Sequence, residues 1–179
     1  METKRLVLVV DMLNGFSKFG PLASNNVTKI IPVIKDIVES SDNNIFICDS
    51  HSVNDLEMKN YPVHCLTNSP EAEVVEELAP YATEKILKNT TNAFWELDHK
   101  LLLKYNQIEL VGCCTDICVL QLALSLSTFL QKINADVKLI VYEDATATFD
   151  APNHDSKTYH QFALNLMKNA GIKVRKWTE

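Results

Sequence analysis

The sequence predicts an α/β protein with three layers, in which helices cover both faces of a doubly wound, mainly parallel sheet of five or six strands. One observation is that short apolar segments alternate along the chain with longer segments whose apolar residues recur at helical spacing. Another is that the short segments are mostly continuous apolar runs, which is expected of strands buried on both faces. This alternation is typical of strand–helix–strand units, which build parallel sheets covered by helices.

The order of these elements follows from the same pattern. Pro32 fits best in the first turn of a helix, so we expect the first helix to begin later than Val27. Gly171 follows the last helical segment as a C-cap would. The predicted strands are residues 6–10, 44–48, 85–87, 107–111, 137–142 and 172–177, and the predicted helices are residues 27–38, 94–105, 115–133 and 154–170.

Composition and charge are those of a globular domain that binds neither nucleic acid nor membranes. The chain has 179 residues, 46% of them hydrophobic and 22% charged, and we expect one domain over residues 1–179. A net charge of -6 disfavours nucleic acid and anionic membranes as partners. No signal peptide is expected, and the five cysteines follow no disulfide pattern, which favours free thiols in the cytoplasm. The sequence leaves the oligomeric state open; a homo-oligomer would use the apolar surface of the helix at 115–133.

Cys118 is the strongest candidate for chemistry. It lies in the first turn of a predicted helix that directly follows the strand at 107–111. The helix dipole and the unpaired N–H groups of that turn favour a thiolate, and they can also stabilise an oxyanion. This predicts an acyl-transfer enzyme, although a buried cysteine in an apolar helix would leave the same pattern.

Two further strands end in charged residues, and the carboxyl ends of parallel strands meet at one edge of a sheet. Asp11 ends the first strand and Lys88 follows the weak strand at 85–87. Asp11 can act as the general base for Cys118, while Lys88 stabilises the ionised partners. Taken singly, Asp11 is equally explained as a turn residue and Lys88 as a solvated loop lysine.

The long loop after the second strand carries metal-binding residue types. Asp49 and His51 stand at the strand end, and Glu57 and His64 follow downstream. Such nitrogen and oxygen donors suit one divalent metal ion, zinc first, with iron or manganese as alternatives. Histidines that only make loop hydrogen bonds remain an alternative, and the neighbouring Cys65 is expected to pack rather than to bind metal.

Aromatic residues near these positions can form a substrate pocket. Phe16 and Tyr61 are placed to line a pocket between the thiol and the metal site, where a flat substrate would stack. Phe94 is expected in the core. With 4 glycines in the chain and no phosphate-binding loop, a nucleotide-binding fold is disfavoured.

Three elements in this order resemble the isochorismatase-like cysteine hydrolases. Residues 9–16 are similar to the opening D-x-x-N-x-F element of that family, whose Asp is the catalytic base and is Asp11 here. Lys88, six residues before Phe94, matches the catalytic lysine. Residues 115–119 match the T-[DE]-x-C-V element that carries the nucleophile, Cys118. The resemblance also implies a cis peptide bond just before Thr115 and an oxyanion hole made by the N–H groups of Cys114 and Cys118.

Within that family, the metal loop resembles the nicotinamidases. Asp49-x-His51 and the segment 61–65 are similar to their D-x-H and W-P-x-H-C elements, with Tyr61 in place of the usual tryptophan. Glu57 falls near a further metal-site position, which loop length makes less secure. Gly15 stands where the family commonly has Asp, and residues 67–73 replace a glycine-rich segment. Both departures concern the rim of the pocket.

The resemblance implies an amidohydrolase that converts nicotinamide to nicotinate and ammonia through a thioester, in NAD salvage. A cysteine hydrolase of the same superfamily acting on a carbamoyl, ureido or small aliphatic amide is the nearest alternative. Two others come from different classes: a metal-binding thiol switch using Cys113, Cys114 and Cys118, and a phosphoacceptor domain using Asp11. Adjacent cysteines form a disulfide only with strain, and a phosphoacceptor would give Cys118 no role.

Overall fold

A computed structural model describes residues 3–177 and has the predicted three-layer α/β/α architecture. Its sheet has, within the described residues, six strands in the order β3-β2-β1-β4-β5-β6, all parallel to their neighbours. The strands are β1 (Arg5–Val10), β2 (Asn44–Asp49), β3 (Lys85–Lys88), β4 (Gln107–Cys113), β5 (Lys138–Ala147) and β6 (Lys173–Arg175). The helices are α1 (Asn14–Ser17), α2 (Asn25–Glu39), α3 (His99–Leu102), α4 (Leu120–Lys132) and α5 (Ser156–Asn169). Residues 1–2 and 178–179 of the predicted domain lie outside the described part.

The central strands are buried because successive side chains enter two different cores. On β1, Val7 and Val9 pack with α2 on one face of the sheet, together with β2 residue Phe46. Leu6 and Leu8 point to the other face and pack with α3, α4 and α5. Since alternate residues of one strand face opposite sides of a sheet, this accounts for the continuous apolar runs in the sequence.

Helix α2 begins at Asn25, earlier than the start after Val27 that the position of Pro32 led us to expect. The side chain of Ser24 accepts a hydrogen bond from the Asn26 N–H and so caps a helix that starts at Asn25. Pro32 therefore lies inside the helix, and it is tolerated on the exposed face, where water can replace the hydrogen bond that proline cannot donate.

The predicted helix over 94–105 is not continuous. Residues Ala93–Trp95 form a 3₁₀ turn, and Asp98 then caps the separate short helix α3 by accepting from the Lys100 N–H. Similarly, Asp155 caps α5 by accepting from Thr158, so this helix begins at Ser156 and not at residue 154.

Strand β5 continues five residues beyond its predicted end at Tyr142, to Ala147. Its pairing with β4 shifts between Leu110↔Val141 and Gly112↔Thr146, so β5 contains a bulge. The half-buried Glu143 and Asp144, which mark a strand end in the sequence, lie within this irregular segment. The last strand is shorter than predicted and covers Lys173–Arg175.

In the described part of the chain, no helix has the length and apolar character that crossing a membrane requires. All five cysteines are free, as predicted.

Candidate active site

The chain turns sharply at the carboxyl end of β4 to present Cys118. Residues Thr115–Val119 form a single π-helical turn that leads into α4, and the Cys118 side chain is buried within it. Gly112 at the end of β4 has φ +113°, and a Cβ atom there would lie 2.0 Å from the carbonyl oxygen of Val10. Glycine is therefore required for β4 to pass this close to the end of β1.

The peptide bond between Cys113 and Cys114 is cis, at the position that the family resemblance implies. Cys114 and Cys118 both line the cavity above this edge of the sheet. The N–H groups expected to form an oxyanion hole thus belong to residues on the cavity wall, and their function stays a prediction.

Asp11, Asp49 and Lys88 meet at the ends of three adjacent strands. The Lys88 ammonium lies 2.8 Å from Asp11 Oδ2, contacts Asp49 Oδ1, and donates to Cys118 Sγ over 3.8 Å. The Asp49 N–H donates to Asp11 Oδ1 over 3.1 Å. All of these side chains are buried, so one cation is held between two carboxylates and a thiol. Lys88 is not the solvated loop lysine of the alternative interpretation.

Burial dominates the electrostatics of this cluster. Burial and the negative charge of Asp49 raise the pKa of Asp11 to about 7, although Lys88 opposes the shift. Burial is also the largest single influence on Asp49 and favours a higher pKa, but the charge of Lys88 and the contacts with His51, His64 and Lys88 together outweigh it, so the pKa is lowered overall. For Cys118, burial raises the pKa well above its ordinary value despite Lys88. Burial and the two neighbouring carboxylates thus oppose the thiolate that the helix turn is expected to favour.

The predicted metal-binding residues converge beside this cluster. One donor atom from each of Asp49, His51, Glu57 and His64 lies within 4.8 Å of the others. His51 Nε2 lies 3.6 Å from Asp49 Oδ1 and 3.8 Å from Glu57 Oε1, and His64 Nε2 lies 3.7 Å from Asp49 Oδ2. These separations are too long for hydrogen bonds, but two donors that each lie about 2.1 Å from zinc can be up to about 4.2 Å apart.

The two histidines are oriented for metal binding by their other ring nitrogens. His64 Nδ1 lies 2.7 Å from the carbonyl oxygen of Pro62, and His51 Nδ1 lies 3.1 Å from Asp55 Oδ2. Because both partners are acceptors, Nδ1 is the donor in each contact, which leaves Nε2 as the ring nitrogen that faces the cluster. His51 Nε2 is buried and has no hydrogen-bond partner, which fits a metal ligand better than a loop histidine.

A single cavity joins the thiol to the metal-binding cluster. Its wall includes Asp11 and Cys118 together with Asp49, Glu57 and His64. The predicted substrate contacts also line it: the Phe16 and Tyr61 rings lie edge-on to the His64 ring at centroid distances of 5.6 and 6.3 Å, respectively. Phe94, as predicted, packs with the core and lies outside this cavity wall.

Comparison with known proteins assigns the family. The isochorismatase domain model matches residues 5–179. The chain belongs to the isochorismatase-like hydrolase family. It is 31% identical to nicotinamidase 1 of Arabidopsis thaliana, over 95% of this chain and 81% of that protein.

Solved structures of isochorismatase-like hydrolases have the same fold. The nicotinamidase structure from Bacillus subtilis has a TM-score of 0.77 at 25% identity and covers 97% of this chain and 100% of its own. The N-carbamoylsarcosine amidase from Thermoplasma acidophilum has a TM-score of 0.79 at 24% identity, with 99% and 98% covered. The fold is thus shared by enzymes named for different amides, and the substrate must be argued from the site.

The sequence interpretation missed several residues of this isochorismatase-like hydrolase site. Leu22, Thr91, Ile117 and Phe149 also line the cavity. Phe149 follows the true end of β5 by two residues, so the rule that ligands bind at strand ends would have found it. The early predicted end of β5 hid this signal. Asp55, four residues after His51, was likewise missed as the group that orients a metal ligand.

Proposed function

We propose that this isochorismatase-like hydrolase is a nicotinamidase, which hydrolyses nicotinamide to nicotinate and ammonia. The observation that carries the proposal is the single cavity that connects Asp11 and Cys118 to the cluster of Asp49, Glu57 and His64. A small amide whose ring has a nitrogen atom matches this cavity, since the thiol would attack the carbonyl and a metal ion held by the cluster would accept the lone pair of the ring nitrogen.

The first half of the reaction forms a thioester. Asp11 takes the proton of the Cys118 thiol, and the sulfur attacks the amide carbonyl carbon. The N–H groups of Cys114 and Cys118 stabilise the negative charge on the carbonyl oxygen. Asp11 then returns the proton to the amide nitrogen as the carbon–nitrogen bond breaks, and ammonia leaves. A pKa of about 7 suits Asp11 to both transfers.

The second half hydrolyses the thioester. Asp11 takes a proton from water, and the resulting hydroxide attacks the carbonyl carbon. The carbon–sulfur bond breaks, the sulfur regains the proton from Asp11, and the product leaves as nicotinic acid, which loses its carboxyl proton to water and becomes nicotinate. Throughout both halves of the reaction, the Lys88 ammonium holds the Asp11 carboxylate, 2.8 Å away. It also offsets the negative charge on the Cys118 sulfur, 3.8 Å away.

Asp49, His51, Glu57 and His64 would hold one divalent metal ion, with zinc the best match to two imidazoles and carboxylates. When bound, the ion supplies a Lewis-acid anchor for the ring nitrogen of the substrate. Phe16 and Tyr61 line the same cavity as Cys118 and the metal-binding cluster, and they would keep the substrate ring flat against its apolar wall.

A substrate panel tests this proposal. Purified protein loaded with zinc is given nicotinamide, benzamide, an N-carbamoyl amino acid and acetamide, and ammonia release is measured. We expect nicotinamide to be preferred over benzamide, which differs by the ring nitrogen alone, by about 100-fold or more in kcat/KM. Equal rates for the two would contradict ring-nitrogen binding, and a preference for the carbamoyl or aliphatic amide would replace nicotinamidase by the alternative activity.

We further propose that residues 1–179 form one domain and that the enzyme acts in the cytoplasm, where its product nicotinate enters NAD salvage. The five free thiols support a reducing compartment.

A further inference from the structure

His154 connects the cavity wall to the turn that carries Cys118. Its Nε2 lies 2.7 Å from Asp116 Oδ2, and Asp116 is in the same π-helical turn as Cys118. Its Nδ1 lies 2.9 Å from the carbonyl oxygen of Phe149, whose side chain lines the cavity. One imidazole ring therefore joins the segment after β5 to the nucleophile turn after β4.

His154 is held at both ring nitrogens and on both ring faces. The Phe149 carbonyl oxygen lies next to Nδ1 and the Asp116 carboxylate next to Nε2, each within hydrogen-bond distance. The ring also stacks between Phe149, at 4.1 Å and 4°, and Tyr159, at 3.9 Å and 28°. These two ring contacts add to the pairing with Asp116, and the side chains of His154 and Asp116 are only 14% and 10% exposed.

We propose that His154 is a positioning residue that fixes Phe149 as the wall of the substrate cavity and sets its distance from Cys118. The proposal rests on Cys118 being the nucleophile of the proposed function. With His154 in place, the Phe149 ring cannot move without losing the stack, and the contact with the Phe149 carbonyl holds the backbone that carries the ring. His154 thereby determines the width of the cavity, and with it the preference for a flat ring over smaller amides.

The nucleophile turn keeps a second support when His154 is replaced. His160 Nδ1 lies 2.9 Å from Oγ1 of the buried Thr115, so α5 still contacts the turn in a His154 variant. We therefore expect His154→Gln to fold. Glutamine has no aromatic ring to stack between Phe149 and Tyr159, and its single amide group cannot place polar atoms next to both Asp116 and the Phe149 carbonyl as the two ring nitrogens do.

His99 provides a matched control. It stacks on Phe94 at 4.3 Å and 29°, and its Nε2 lies 2.9 Å from the carbonyl oxygen of Phe94. The pair thus repeats the contacts of His154 with Phe149, but neither His99 nor Phe94 is among the residues of the cavity wall.

The test is a double-mutant cycle on KM with His154→Gln, Phe149→Ala, the double variant and His99→Gln, using nicotinamide and acetamide. We expect His154→Gln to raise KM for nicotinamide about tenfold and to leave kcat within about threefold of the wild-type value. The ratio of kcat/KM for nicotinamide to kcat/KM for acetamide should therefore fall. The double variant should match Phe149→Ala, because His154 acts through that ring. His99→Gln should leave both constants unchanged. Additive effects on KM, or an equal effect of His99→Gln, would overturn the proposal.

A second readout separates this proposal from the proposed function. Alkylation of Cys118 by iodoacetamide, followed by peptide mass spectrometry, needs no substrate. We expect His154→Gln and Phe149→Ala to increase its rate by similar factors of about ten, since both open the cavity above the thiol, and His99→Gln to leave it unchanged. Identical rates in wild type and all variants would refute the role of His154, whereas absence of ammonia release from wild type would refute the proposed function alone.

Discussion

The Lys88 ammonium lies 2.8 Å from the carboxylate of Asp11, and both side chains are almost completely buried. Lys88 also contacts Asp49 on the neighbouring strand, so it is the shared counter-ion of two buried carboxylates. One lysine thereby connects the predicted base to the predicted metal-binding cluster. Removing it would leave two negative charges facing each other away from water.

We expect Lys88→Met to abolish activity and to lower the free energy of unfolding by about 3 kcal/mol or more at pH 8. Without Lys88, burial and mutual repulsion raise the folded-state pKa values of the carboxylates above the unfolded value of about 3.9. The loss of stability is therefore largest at high pH and diminishes as the pH falls toward about 4. Urea unfolding at several pH values measures it.

Lys18→Met is the control for that variant. Lys18 pairs with Glu77 on the surface, and both side chains are partly exposed. Its replacement should cost at most about 1 kcal/mol. A similar cost for both lysines would show that the ions around Lys88 are better solvated than their burial indicates.

The close approach of β4 to β1 gives a second prediction. Gly112→Ala should prevent folding or destabilise the protein by several kcal/mol, because the new Cβ would overlap the Val10 carbonyl oxygen at 2.0 Å. Gly171 also has a positive φ, of +84°, but no atom lies within 4 Å of a Cβ built there. Gly171→Ala should therefore cost only about 1 kcal/mol of backbone strain. Equal effects on thermal unfolding would contradict the steric explanation.

Metal removal gives a third prediction. Chelation should lower ammonia release about tenfold or more, and adding zinc should restore it. His51→Ala should bind zinc at least about tenfold more weakly in a competition titration, since it removes a buried donor. His99→Ala, which changes a histidine outside the cluster, should bind zinc like wild type. Full activity in protein verified to be metal-free would rule out the proposed anchoring of the substrate.

Much of the fold and the reacting residues could be predicted because both depend on local patterns. Continuous apolar runs marked the buried strands β1 and β2, at whose ends Asp11 and Asp49 lie, and a weaker pattern marked β3, which ends at Lys88. Parallel strands end at one edge of a sheet, so the positions of these residues in the sequence were enough to predict that their side chains lie close together. The metal cluster was predicted from residue type at that same edge.

What the sequence did not indicate depends on tertiary contacts. The bulge in β5 corresponds to a shift in its pairing register with β4. The local sequence does not show whether Glu143 lies in such a bulge or in a loop. The raised pKa of Cys118 likewise comes from burial and from the neighbouring carboxylates, which only the folded chain brings together. The role proposed for His154 requires knowing that Phe149 and Asp116 lie on either side of it.

The central claim is that Cys118 forms a thioester with nicotinamide. Wild type mixed with excess nicotinamide and quenched in acid should carry the nicotinoyl group on the Cys118 peptide in mass spectrometry. Cys118→Ala should show no such adduct, and its rate of ammonia release should fall by a factor of about 1,000 or more. Its thermal stability and its metal content should match those of wild type. Cys48→Ala, which removes a buried thiol outside the cavity wall, is the control and should still form the adduct. Ammonia release near the wild-type rate from a folded, metal-loaded Cys118→Ala variant would contradict the account.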